Sequence, residues 1–151
     1  MRFTGDGFRM TNHFSLNEID EVVKAIQKRT SRKPAIAMIL GSGLNDLGNA
    51  VATPDLIPFG ELPHFPVSTV VGHSGRIIVG ELEGRSVYIM QGRIHFYEGY
   101  TMAQITLPVR VMQRFGIQTL IVTNAAGGVN PAFNPGDVML ITDHINFQGM
   151  M

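Results

Sequence analysis

Residues 91–100, Gln91-Gly92-Arg93-Ile94-His95-Phe96-Tyr97-Glu98-Gly99-Tyr100, carry a guanidinium, an imidazole and a phenol at alternate positions. In an extended chain Arg93, His95 and Tyr97 project from one face. That face suits a phosphorylated or phosphate-requiring reaction. Arg93 offers a phosphate a two-pronged, charge-assisted contact, His95 donates to an oxygen, and Tyr97 covers or hydrogen-bonds a sugar. The same spacing also fits a solvated hairpin face with an ordinary surface arginine. Glu98, if close to His95, would orient or charge its imidazole.

Two further stretches leave room for a ligand against the backbone. Gly41-Ser42-Gly43 follows the apolar run 35–40. At the carboxyl end of a buried strand, exposed backbone donors can form an anion site, although a plain tight turn has the same sequence. It is not a dinucleotide fingerprint, because Asp46 stands where the last glycine belongs, and no Gly-Lys-Ser/Thr follows to make a P-loop. Thr123-Asn124-Ala125-Ala126-Gly127-Gly128 places small residues beyond a second apolar run. They fit a ligand floor or close packing against a neighbour. His73, between Gly72 and Gly75, reads as a loop histidine able to close over an anion or a sugar hydroxyl, or as a solvated one. His13, His64 and His144 read as surface or structural groups. No metal is expected, since neither His-x-His, HExxH nor a carboxylate cluster at ligand spacing occurs.

The bulk composition narrows the partners. The 151 residues have a net charge of zero, with 12 Lys+Arg, 44% hydrophobic residues and no cysteine. This is the composition of a globular chain with one core. There is no basic field for a nucleic-acid backbone and no thiolate chemistry. No apolar run approaches the roughly 20 residues that span a bilayer, and the amino terminus lacks a signal-peptide core. The expectation is a cytoplasmic protein that engages neither nucleic acid nor membrane.

The elements that must position these residues follow from periodicity. Residues 1–14 read as a flexible arm and 15–151 as part of a single domain. Ser15-Leu16-Asn17-Glu18 is a capping box, and Ile19, Val22, Val23 and Ile26 continue it as an amphipathic helix over 16–27. The run 35–40 predicts a strand buried on both faces. Residues 57–66, with Pro58, Pro63 and Pro66, read as an extended connector. Runs 76–82 and 85–90 predict a hairpin turning at Glu83-Gly84. Ile105, Val109, Met112 and Phe115 predict a helix over 102–115, with Pro108 as a kink or early turn and Gly116 as its stop. Runs 119–123 and 138–142 predict two more buried strands. The fold class is α/β: a central mixed, partly parallel twisted sheet flanked by helices.

Taken in order, Leu40-Gly41-Ser42-Gly43-Leu44, Phe65-Pro66-Val67-Ser68-Thr69-Val70, Gly72-His73-Ser74-Gly75, residues 91–100, residues 124–129 and Asp143-His144-Ile145-Asn146 resemble trimeric purine nucleoside phosphorylases. The resemblance covers residues 34–149 and corresponds to the amino-terminal half of such a chain. It implies an incomplete nucleoside phosphorylase-like sheet and reversible phosphorolysis of purine (deoxy)ribonucleosides such as inosine and guanosine. By carry-over, Ser42, His73, Arg93, Ile94, His95 and the backbone at Ala125 match phosphate-site positions, with His95 also the catalytic candidate. Tyr97 matches a residue against the ribose. The resemblance implies no cofactor beyond inorganic phosphate as co-substrate, and a homotrimer. The family's purine-binding groups lie further along than Met151. The runners-up are a methylthioadenosine phosphorylase, a non-catalytic phosphate-binding or subunit-associating remnant, and a generic nucleotide-binding α/β domain.

Overall fold

A computed structural model describes residues 13–67 and 75–147. Helix α1 (Leu16–Gln27) starts where its capping box dictates. The backbone N–H of Glu18 donates to Ser15 Oγ at 3.3 Å, and the Ser15 N–H donates back to Glu18 Oε2 at 2.8 Å. Two donors that would otherwise lack partners at the helix start are thereby satisfied. Its apolar stripe, Ile19, Val22, Val23 and Ile26, is buried.

Strands β1 (Ile36–Leu40), β2 (Ala52–Pro58), β3 (Arg76–Leu82), β4 (Arg85–Gln91) and β5 (Thr119–Val122) form, among the described residues, a five-stranded sheet ordered β2-β3-β4-β1-β5. The β2–β3 and β3–β4 pairings are antiparallel, whereas β1 runs parallel to both β4 and β5. The mixed, partly parallel sheet expected from the sequence is therefore present. Glu83 and Gly84, both at positive φ (50° and 70°), close the β3–β4 hairpin in the primed-turn geometry that matches strand twist.

The period of two sorts the strand residues into two layers. Ala37, Ile39, Ile77, Val79, Tyr88 and Met90 share a core with α1 and with Leu107, Val111 and Met112 of α3 (Met102–Phe115). Leu40, Ile78, Val87 and Ile89 form a smaller cluster with Val51, against which Leu47 of the short helix α2 (Asn45–Asn49) packs. Helix α3 carries its own capping box, Thr101 with Gln104, and runs without a break through the buried Pro108. Arg114 holds it to α1 with a forked contact to Asp20, at 2.6 and 3.1 Å. The guanidinium keeps the Asp20 carboxyl below the usual carboxylate range.

Some of these expectations change. The connector expected over 57–66 is partly strand: β2 already begins at Ala52 and ends at Pro58, and a 3-10 turn, Phe59–Glu61, follows. Its prolines are tolerated because β2 is an edge strand with a register shift between Ala52 and Asp55. Helix α2 is too short, and too interrupted by Gly48, to register as a periodic pattern. The run 138–142 forms no strand. No neighbouring strand among the described residues completes its ladder, and Val138 and Leu140 are 98% and 87% exposed. Strand β5, patterned for burial on both faces by partners further along the chain, pairs with β1 among the described residues and is exposed along its whole length. The expected arm at 1–14 lies mostly outside the described residues.

This exposed apolar strip, Leu120, Ile121 and Val122 followed by Val138, Met139, Leu140 and Ile141, predicts association of the chain in solution. Light scattering after size exclusion should give a mass above that of one chain, and a monodisperse monomer would contradict it. A second expectation concerns Tyr88, whose fully buried hydroxyl has no hydrogen-bond partner and whose burial pushes its ionisation far above the ordinary range. Tyr88→Phe removes that desolvated hydroxyl and should raise unfolding stability by roughly 1 kcal/mol in a denaturant titration.

Candidate functional site

Because β1 is parallel to β4 and β5, the carboxyl ends of these three strands lie at one edge of the sheet. Chain segments 41–44, 91–95 and 123–125 leave the sheet there. The carboxyl edge of parallel strands is where open α/β sheets gather ligand-binding loops.

Thr123 joins the segments. Its hydroxyl accepts from the Gly41 backbone N–H at 2.8 Å and donates to the Ile39 carbonyl at 3.1 Å, and its own N–H donates to the same carbonyl at 3.1 Å. Its carbonyl accepts from Arg93 Nη1 at 2.9 Å. One residue thus fixes the end of β1, the end of β5 and the guanidinium. The approach is close enough to require glycine at Gly41, where a Cβ would lie 2.4 Å from the Thr123 carbonyl oxygen and 2.8 Å from Asn124 Cα. Both are backbone atoms and cannot step aside.

Ser42 is exposed in a turn closed by the Leu44 N–H on the Gly41 carbonyl at 3.3 Å. Arg93 is half-buried, and Thr123 engages one nitrogen of a guanidinium that carries five donors. Ala125 lies in the exposed loop beyond Thr123, where Asn124 Nδ2 donates to its carbonyl at 3.3 Å. Ser42, Arg93 and Ala125 are therefore brought to the same edge. Ile94 is 6% exposed, with its side chain in the interior, which leaves its backbone as the part able to meet a ligand. His73 lies outside the described residues. Val67, the last described residue before it, accepts the Tyr100 hydroxyl through its carbonyl.

The alternation expected of Arg93, His95 and Tyr97 holds only as far as His95. A 3-10 turn, Phe96–Glu98, begins directly after it. Tyr97 nevertheless returns to His95, the two rings stacking with centroids 4.9 Å apart and planes 11° from parallel. Tyr97 is 78% exposed, presenting a flat aromatic surface to solvent. Glu98 Oε1 accepts the backbone N–H of His95 at 2.8 Å, and the His95 side chain in turn accepts from the Glu98 backbone N–H, so the two residues cap each other. The carboxylate thus holds the turn that stacks the two rings. His64 pairs with Glu21 at 2.8 Å on the surface, as a structural group would. Among the described residues no group of three or more His, Asp, Glu or Cys side chains could hold a metal, and no helix is long and apolar enough to cross a membrane.

The sequence marks Thr123 only as part of a candidate ligand floor and Gln91 only as the start of the 91–100 stretch, with no partner for either side chain. The signal available for both was a polar residue ending an otherwise apolar strand. Gln91, 8% exposed, accepts from Arg76 Nε at 2.6 Å and donates to the Asn45 carbonyl at 2.9 Å.

Comparisons with known proteins identify the family and the fold. Residues 35–150 match the family model described as "Phosphorylase superfamily". The chain is 52% identical over 133 residues to purine nucleoside phosphorylase 1 of Bacillus subtilis, covering 88% of the chain and 49% of that relative. It is 47% identical over 140 residues to the purine nucleoside phosphorylase of Rattus norvegicus, covering 93% of the chain and 48% of that relative. The solved purine nucleoside phosphorylase of Schistosoma mansoni, in complex with acetate, superposes with a TM-score of 0.76 at 46% identity, over 84% of this chain and 46% of that one. Its complex with inosine gives 0.75 at 45% identity, over 84% and 44%. The chain spans about half the length of the curated relatives it matches.

Thr123→Val keeps the shape of the side chain but removes both hydroxyl hydrogen bonds, leaving the Gly41 N–H without that partner. Thermal or denaturant unfolding should show a loss of about 1–3 kcal/mol, and an unchanged midpoint would remove Thr123 from this role.

Proposed function

The chain belongs to the phosphorylase superfamily, and on that premise we propose that it supplies the phosphate- and ribose-facing part of a purine nucleoside phosphorylase site. The observation that carries the reading is the convergence of the Gly41-Ser42-Gly43 turn, Arg93 and the Thr123–Ala125 loop at one sheet edge. The high identity to proteins named purine nucleoside phosphorylase supports it. The reaction is reversible phosphorolysis of purine (deoxy)ribonucleosides such as inosine and guanosine.

In this reading Ser42, His73, Arg93, His95 and the backbone at Ile94 and Ala125 receive inorganic phosphate, and Tyr97 lies against the ribose. A phosphate oxygen forms a bond to the anomeric carbon as the bond from that carbon to the purine nitrogen breaks. The electron pair leaves with the purine, which takes up a proton, and pentose 1-phosphate remains. Phosphate is already an anion near neutral pH, so the site's task is positioning and charge compensation rather than proton abstraction. Positive charge developing on the sugar is stabilised by the bound phosphate itself. His95, stacked on the ribose-facing Tyr97, donates to a phosphate oxygen in this reading. The reaction calls for no cofactor, with inorganic phosphate as co-substrate. The assembly implied by the family resemblance is a homotrimer, and the exposed apolar strip along β5 supports an associated form.

Phosphate-dependent release of hypoxanthine from inosine tests the reading. Arg93→Ala should raise the KM for phosphate about tenfold or more, the loss of one charge-assisted contact, while shifting the nucleoside KM far less. Equal shifts in both constants would remove Arg93 from the phosphate site. Phosphate binding without base release would favour a non-catalytic, phosphate-binding chain.

A further inference from the structure

Arg76, Gln91 and Asn45 form a chain of contacts behind the candidate site. Arg76 opens β3 directly opposite Gln91, the last residue of β4. Its Nε donates to Gln91 Oε1 at 2.6 Å, and Gln91 Nε2 donates to the Asn45 carbonyl at 2.9 Å. The direction is set by chemistry. A guanidinium only donates, so the amide oxygen must face Arg76, and the amide nitrogen is left for a carbonyl. Asn45 is the first residue of α2, immediately after the Gly41–Leu44 turn that presents Ser42.

A second observation places α2 on the same side chain. A Cβ on Gly48 would lie 3.1 Å from Gln91 Nε2 and 2.9 Å from Ile78 Cδ1, so glycine lets this helix settle directly onto Gln91. Gln91 therefore touches α2 at its first turn and again beneath Gly48, while its own backbone leads through Gly92 into Arg93. The buried Gln91 amide connects the two segments that carry Ser42 and Arg93.

We propose that Gln91 is a positioning residue for the anion site: oriented by Arg76, it holds α2, and with it the Ser42 turn, in register with the Arg93 segment. This rests on the phosphate reading given above. Gln91 does not itself contact the substrate. It fixes the relative placement of two segments that do, and in a positioned reaction small displacements of that kind are costly.

Gln91→Glu is the discriminating variant. Its carboxylate keeps an acceptor for Arg76 but offers Asn45 a second acceptor in place of a donor. Hydrogen exchange read by mass spectrometry on the full chain should show residues 42–49 exchanging roughly tenfold or more faster, with β1 and β4 unchanged, as expected of a local release. Affinity for inorganic phosphate, read by calorimetry, should fall by about tenfold, the loss expected from one buried hydrogen bond and the displacement that follows. Gly48→Ala, with Gln91 intact, should produce the same pair of changes by lifting α2 and serves if Gln91→Glu fails to fold. Unchanged exchange at 42–49 in a folded variant would overturn the proposal. Faster exchange with unchanged phosphate affinity would overturn the positioning role and leave Gln91 a structural contact. Faster exchange in a protein whose parent form binds no phosphate would instead overturn the phosphate reading, and the positioning role with it.

Discussion

The Thr123 hydroxyl is the contact on which the candidate site depends. A threonine hydroxyl has one proton to give, and here it gives it to the Ile39 carbonyl while accepting the Gly41 N–H. Parallel strands leave their last backbone groups to be satisfied by whatever follows, and β1 ends at Leu40. Without Thr123 the Gly41 N–H would face the sheet edge unpaired. With it, the turn carrying Ser42 is drawn against the backbone of Thr123 and Asn124, so closely that only glycine fits at position 41. The Arg93 guanidinium then reaches the carbonyl of the same threonine. Three loops from three strands are thus referred to one residue.

The rest of the fold supports this junction from behind. The α1–α3 layer buries one face of the central strands with aliphatic side chains, and the forked Arg114–Asp20 contact joins the two helices. That contact is exposed and contributes little to stability by itself. It fixes how the helices lie across the sheet, while burial of Ile19, Val22, Ile26, Leu107 and Val111 supplies the driving force. On the opposite face, among the described residues, Leu47 of α2 packs on a small aliphatic cluster of strand residues, and Gln91 gives a polar link from β4 to α2. The β5 side is different in kind. Its exposed strand and the apolar run after it have the composition of a core and the accessibility of a surface.

Elements governed by local rules were legible in the sequence. The box at Ser15 to Glu18 and the stripe behind it define α1, and Glu83-Gly84 defines the hairpin, because caps and tight turns act within a few residues. Strand β2 was obscured because an edge strand tolerates Pro54 and Pro58, the residues that argue against a strand elsewhere. The run 138–142 reads as a strand from composition alone, but a strand exists only with a partner to pair with. In the site, Arg93, Ser42 and Ala125 were legible as chemistry on three separate stretches, and the resemblance grouped them. The contacts that join them through Thr123 and Gln91 span 82, 30 and 46 residues of sequence, a separation no local pattern encodes. Tyr97 was assigned to the right neighbourhood by the wrong geometry: it reaches His95 by the turn of a 3-10 segment, not by strand alternation.

On the reading proposed above, the edge formed by Gly41-Ser42-Gly43, Arg93 and Thr123–Ala125 is an inorganic phosphate site. Crystals of the protein soaked in arsenate, a phosphate analogue located by its anomalous scattering, test it directly. An arsenic peak is expected within hydrogen-bonding reach of the Arg93 guanidinium, the Ser42 hydroxyl and the Ala125 backbone N–H. An arsenate bound elsewhere, with this edge empty, would contradict it.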